Sequence, residues 1–167
     1  MKINLKRMCR HLFSTQGQAK QAFPKTTLAV IEQEIRTSET VHVGEIRFAV
    51  EASLSGAPLY EDQAPRERAI DVFSQLRMWD TEHRNGVLIY LLLADHSVEI
   101  IADRGICDKV HPAEWERVCQ AMESEFREGR YESGILDGIR KVSAIMRLHF
   151  PASGVGRNEL PDRVVVM

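Results

Sequence analysis

Two of the three aspartates, both arginines and the asparagine in one stretch of the chain, Trp79 to Gly105, which reads WDTEHRNGVLIYLLLADHSVEIIADRG, could do chemistry together. They are Asp80, Arg84, Asn85, Asp103 and Arg104. Carboxylates, an amide oxygen and exposed carbonyls are the ligands that a hard cation such as calcium or magnesium prefers. Arginines beside such a cation can hold a phosphate by paired hydrogen bonds. The combination suits metal-assisted hydrolysis of a phosphoester, with Asp80 or Asp103 as metal ligand or base. The same residues also have an ordinary reading. Asn85-Gly86 ahead of a strand is turn chemistry, and a carboxylate near an arginine at a sheet edge more often makes an ion pair than a catalytic centre.

Which reading applies depends on the elements that position these residues. The apolar run Val87 to Ala94, bounded by turn signals, predicts an interior strand. Asp95-His96 then predicts a two-residue hairpin, because Asp and His tolerate positive φ better than most residues. The β-rich run that follows returns Asp103 and Arg104 to the end where Asp80, Arg84, Asn85 and Gly86 sit. Upstream, Gly44 opens GEIRFAVEA. There Ile46, Phe48, Val50 and Ala52 alternate with Glu45, Arg47, Ala49 and Glu51, the pattern of a strand with one buried face. A helix beginning at Pro65 lies between the two strands, so they should be parallel with a right-handed crossover. Their starts then share one edge, and His42 and Glu45 join the cluster. His42 can shuttle a proton only if it reaches the Asp80 loop.

The expected site is therefore Asp80, Asp103 and Glu45 around a calcium or magnesium ion, with Arg84, Asn85, Gly86 and Arg104 holding a ligand. Asp80, Asp103 and Arg104 are the catalytic candidates. No organic cofactor is expected. A second cluster, Glu51, Asp95 and His96, falls at the opposite edge, where ligands of parallel sheets usually bind. Glu51 can equally pair with Arg47 on the same strand face.

The remaining pattern is helical. Leu5, Met8 and Leu12 form a stripe from Ile3 to about Phe13, with a weak break at Gly17. Leu28, Ile31 and Ile35 mark a helix after Pro24, and Ala69, Val72, Phe73, Leu76 and Trp79 mark another. Trp115, Val118, Cys119, Met122 and Phe126 follow Pro112, with Gly129 as a stop. Ile135, Ile139, Val142 and Met146 line a last helix from about Tyr131 to His149. Val164 to Val166 can add a short edge strand. The expected fold is a three-layer α/β/α sandwich, a small mixed β-sheet flanked by helices. It divides into a basic amphipathic N-terminal helix or extension (1–23), the α/β/α domain (24–150) and a C-terminal loop or tail (151–167).

The 167 residues, 44% hydrophobic and 28% charged with a net charge of −2, describe an ordinary globular protein. That charge argues against a nucleic-acid binder. It is unevenly spread: residues 1 to 25 hold Lys2, Lys6, Arg7, Arg10, Lys20 and Lys25 and no acid. A basic amphipathic helix of this kind can lie on an anionic membrane, pack on its own domain or dock on a partner. Three cysteines without a CxxC pair fit reduced thiols. No run reaches the length of a membrane span and no secretory signal is evident, so a cytoplasmic location, peripheral to the inner membrane, is expected. No two of the six histidines show metal-ligand spacing, and HExxH, P-loop, GxGxxG and GxSxG motifs are absent.

The stretches His42 to Glu51, Trp79 to Gly105, Phe150-Pro151 and Asn158 to Asp162 occur in order. Together they resemble the TPM domain family, in particular its short bacterial proteins, over residues 25 to 162. The resemblance implies the phosphatase label that the family carries through a plant thylakoid-lumen branch, and divalent-cation binding in other members. It also implies partners such as LemA-type or other TPM membrane proteins, here with peripheral membrane contact through residues 1–13. Positions matching the family pattern are Asp80, Asn85, Gly86, Asp95, Asp103 and Gly105. The chain departs from it before the helix that follows Pro24: FPKTTLAVIEQEI has no acid until Glu32, where the family places an Asp-Asp-x-x-Gly-type element.

Overall fold

The computed structural model describes residues 5–152 and 159–167. Three N-terminal helices, α1 (Leu5–Phe13), α2 (Gln16–Ala22) and α3 (Lys25–Ser38), precede strand β1 (Glu45–Glu51). A short α4 (Ala57–Tyr60) and α5 (Pro65–Gln75) cross to β2 (Gly86–Leu92), which turns into β3 (Ser97–Ala102). Then come α6 (Arg104–Cys107), α7 (Pro112–Arg127), α8 (Tyr131–His149) and β4 (Val165–Val166). The sheet order is β3-β2-β1-β4, with β1 parallel to β2 and β4, and β2 antiparallel to β3. The sandwich expected from the sequence is present, and β4 is the short edge strand.

Alternate residues of β1 and β2 feed two separate cores. Ile46, Phe48 and Val50 join Val87, Ile89 and Leu91 under α3, α7 and α8. Ala49, Leu88, Tyr90 and Leu92 face Ala69, Val72 and Phe73 of α5. All seven residues of β1 are buried, which corrects the expectation of one buried face. The reason is position: a strand paired on both sides and roofed by helices on both faces has no solvent side.

Other corrections are local. The β2–β3 connection is four residues, not two: Leu93–Asp95 form a 3-10 turn and His96 alone is left-handed, at φ 50°. Gly17 lies inside α2 rather than at a break. The chain interrupts the helix earlier, at Thr15, whose N–H donates to Gln18 Oε1 at 3.1 Å. Helix α5 stops at Gln75, and Arg77 takes φ 54°, so Trp79 leaves the helical stripe and stands half exposed.

The largest surprise is α1. Its apolar stripe does not dock. Leu5, Leu12 and Phe13 are 66%, 68% and 79% exposed, while Arg7 and His11 are buried. Residues 1–4, and with them the expected helix start at Ile3, lie outside the described part. Among the described residues, no helix is long and apolar enough to cross a membrane.

Candidate functional site

The three expected segments do meet at one sheet edge. Glu45 pairs in register with Gly86, and its N–H donates to Asn85 O at 3.1 Å. Asp103 N donates to Gly86 O at 2.9 Å and Gly105 N to Arg84 O at 3.1 Å. The loop before β2 reverses through Arg84 at φ 51°. Gly105 admits this close approach, since a Cβ there would stand 2.7 Å from the carbonyl oxygens of both His83 and Arg84.

The edge sorts its residues into sealed and open groups. Asn85 is 1% exposed; its N–H donates to Thr81 Oγ1 and its side-chain amide donates to Val43 O. Among the described residues its Oδ1 has no partner. Asp103 caps α6, its Oδ1 accepting from Arg104 N at 2.7 Å, and its buried Oδ2 has no partner among the described residues either. Sealed acceptors without donors are costly and call for an explanation. Asp80, Arg84 and Arg104 stand in solvent.

Glu45 is already engaged, its two oxygens accepting from Glu159 N and Leu160 N at 3.2 Å each. The stretch Asn158 to Asp162, one of those that carry the family resemblance, thus closes over the start of β1 through Glu159 and Leu160; Asn158 itself lies outside the described residues. Among the described residues, no three His, Cys, Asp or Glu side chains are arranged to hold a metal ion. The fit to a hard cation therefore rests on the two sealed oxygens, each a suitable ligand type.

His42 is buried with Nδ1 accepting from Gly44 N at 3.1 Å, so its proton sits on Nε2, which has no partner among the described residues. Burial holds its pKa down to about 4. It is neutral at pH 7, with its proton enclosed.

One residue of this edge was not legible as a site residue. Glu39, just past α3, accepts from Ile46 N at 2.8 Å and lies beside the carboxylates of Glu45 and Asp162. Burial, reinforced by those two neighbours, pushes the Glu39 carboxyl up to about 8. It keeps a proton at neutral pH. No spacing signal marks Glu39, because its burial depends on the distant segment that carries Asp162.

A pH dependence follows. The folded state holds the Glu39 proton between the usual carboxylate range and pH 8, so stability from this group is complete at low pH and lost as pH rises. His42 works oppositely, but its window closes at its ordinary value of 6.5. Between pH 6.5 and 8 the Glu39 contribution adds to those of Glu45 and Glu99, whose carboxyls burial also raises, and Glu39 by itself accounts for an expected fall of about 2 kcal/mol in unfolding free energy. Urea titrations across that range should show the slope in the wild type and a clearly shallower one in Glu39→Gln.

The opposite edge has another role. Glu51 does not pair with Arg47. It binds Arg68 through both oxygens at 2.8 and 3.0 Å and accepts from the Tyr90 hydroxyl at 2.6 Å. Asp95 anchors α1: it accepts from Arg7 Nε at 2.9 Å and Arg10 Nη2 at 2.6 Å, with His11 Nε2 at 3.2 Å. Arg7 also donates to Asp62 and Gln63 O, and His11 Nδ1 accepts from Leu54 N. His96 lines a cleft of about 860 Å³ with Arg10, Gln18, Thr27 and Tyr131. These are structural pairings of groups that spacing alone had grouped as a second site.

Comparison with known proteins agrees with the geometry. A family model for the TPM domain matches residues 18–145. Among solved structures, the NMR structure of the BA42 protein from the psychrophilic bacterium Bizionia argentinensis sp. nov. is similar. It shows 31% sequence identity and a TM-score of 0.75, covering 85% of this chain and 93% of that one. No curated protein matches the chain.

Proposed function

The chain belongs to the TPM domain family, and from that membership we propose that it binds a divalent cation or a small ligand where the starts of β1 and β2 meet the end of β3. The observation that carries this reading is the pair of buried acceptor oxygens, Asn85 Oδ1 and Asp103 Oδ2, without donors among the described residues. A calcium or magnesium ion would satisfy such oxygens, with the exposed Asp80 at the same edge and Glu45 joining only if it gives up its hydrogen bonds from Glu159 and Leu160. The protein would serve as an accessory module of a membrane-associated system, with a LemA-type or other TPM membrane protein as partner. Support for that part is α1, which presents Leu5, Leu12 and Phe13 outward beside Lys6 and Arg10, a face suited to an anionic surface.

The test is a calcium and magnesium titration followed by backbone amide NMR, with Asp103→Asn as control. Asn remains a good helix cap, so the variant keeps its fold. Shifts confined to Asp80–Gly86 and Asp103–Gly105, and lost in the variant, are expected. Absence of shifts at millimolar metal would leave the edge as scaffold. In the same samples, deletion of residues 1–22 should abolish sedimentation with anionic vesicles.

A second reading, a weak metal-dependent acid phosphatase, has one observation in its favour. Arg84 and Arg104 are exposed at this edge and, among the described residues, neither is in an ion pair. A bound metal would polarise the phosphoryl oxygens, while these two guanidiniums hold the phosphate. Turnover of a phosphomonoester that survives purification and disappears in Asp103→Asn would establish it; activity persisting in the variant would mark contamination.

A further inference from the structure

Three arginines of the fold are largely buried, and one differs from the others. Arg7 and Arg68 each meet carboxylates. Arg47, on the central strand β1, is 7% exposed. Its guanidinium has no hydrogen-bond or carboxylate partner among the described residues, and its Nε is sealed without an acceptor. Burial draws its pKa down and no neighbouring acid offsets this. Arginine nevertheless keeps its proton in proteins, so a fixed positive charge is held in the interior uncompensated.

That charge faces a space. Arg47 lines a cleft of about 680 Å³ between the start of α3 and the segment leading into β4. Lys25 and Arg163 add two more cations to its wall. The acid present, Glu32, already accepts from Val164 N at 3.1 Å. The rest of the wall is apolar, with Leu28, Ala29 and Val166. The first turn of α3 holds no acid, so its positive dipole end is also unopposed.

We infer that this cleft binds a small monocarboxylate with an apolar chain. The Arg47 guanidinium takes the carboxylate by a paired hydrogen bond, and the chain lies against Leu28, Ala29 and Val166. The fork geometry of arginine matches a carboxylate, and an unpaired buried guanidinium gains more from such an anion than a solvated one does. The site is separate from the Asn85–Asp103 edge, so either reading can fail alone.

The experiment is NMR titration of the full chain with hexanoate, following the Arg47 Nε–H resonance and the amides of Val164–Val166. Acetate, hexanamide and inorganic phosphate are run in parallel. Saturable shifts with hexanoate are expected, with acetate at least tenfold weaker because each buried methylene adds to affinity. Hexanamide should not bind. Arg47→Met should abolish the shifts, and the exposed double variant Lys25→Gln/Arg163→Gln should weaken them several-fold. No saturation at millimolar hexanoate overturns the inference, as does equal binding of hexanamide or unchanged binding in Arg47→Met. Tighter binding of phosphate than of hexanoate overturns the carboxylate assignment. Should Arg47→Met fail to fold, the double variant decides, and full hexanoate affinity there overturns the inference.

Discussion

Asp95→Ala releases the N-terminal helix. Exposed ion pairs contribute little, about 0–1 kcal/mol, but this carboxylate is 6% exposed and touches three cationic or protonatable side chains, Arg7, Arg10 and His11. Removing one partner of a buried pair costs about 3–5 kcal/mol, because the other charge stays behind. The other anchors of α1, Arg7 on Asp62 and Gln63 O and His11 on Leu54 N, surround the same carboxylate and depend on the helix staying docked. Its large apolar residues Leu5, Leu12 and Phe13 face solvent, and only Met8 packs on the core beneath α5. Letting go is therefore cheaper than keeping the Arg7 guanidinium buried without the Asp95 carboxylate. A released helix of nine residues does not persist in water. The expected result is loss of amide-exchange protection across Leu5–Phe13 and rapid proteolysis before α2, with the sheet amides still protected. Wild-type protection in α1 would show that Arg10 and His11 do not depend on Asp95.

Gly86→Ala should be about as severe and should strike the sheet itself. A Cβ at Gly86 would stand 2.3 Å from the carbonyl oxygen of Met78. That oxygen belongs to a buried residue whose own N–H is tied to Phe73 O at 3.1 Å, so it cannot swing aside. Gly86 in turn is clamped between Glu45 in β1 and Asp103 beyond β3. Overpacking of a close-packed interior typically costs about 1–3 kcal/mol, and a clash with backbone lies at or beyond the upper end. A lowered urea midpoint with unchanged slope, and faster exchange at the Asp103 amide, are expected. A loss below about 1 kcal/mol would mean that the loop ahead of β2 can move, against the packing described here.

How much was legible in the sequence can be seen residue by residue. Val87 to Ala94 read as an interior strand because an unbroken apolar run bounded by turns has few other stable solutions, and the strand runs to Leu92 before Leu93 and Ala94 enter the turn. That placement alone brought Glu45, Asn85, Gly86 and Asp103 to one edge, since strand direction follows from the intervening helix. Periodicity also located α7 and α8, and Gly129 at φ 75° ends the first of these as expected. The alternation in β1 misled, however. Glu45, Arg47 and Glu51 looked like a solvent face, yet all three are buried.

Local pattern reports how polar a residue is, not whether a distant segment supplies its partner. Glu51 is tolerated inside because Arg68 and Tyr90 reach it. Glu45 is tolerated because the backbone of Glu159 and Leu160 does. The same limit explains α1. Its apolar stripe is plain in the sequence, but Arg7 and His11 face inward because Asp95, 88 residues from Arg7, waits there.

The sequence by itself thus determined the long helices and the strands, their order, the mixed sheet and the edge that Asn85 and Asp103 share, all consequences of short-range periodicity and chain connectivity, while the short α2, α4 and α6 escaped it. Only the tertiary structure decided which charges are paired, which are sealed, and which, like Arg47, are buried with nothing to neutralise them. Those outcomes depend on long-range contacts and on the loss of water around them, and neither is written in local spacing.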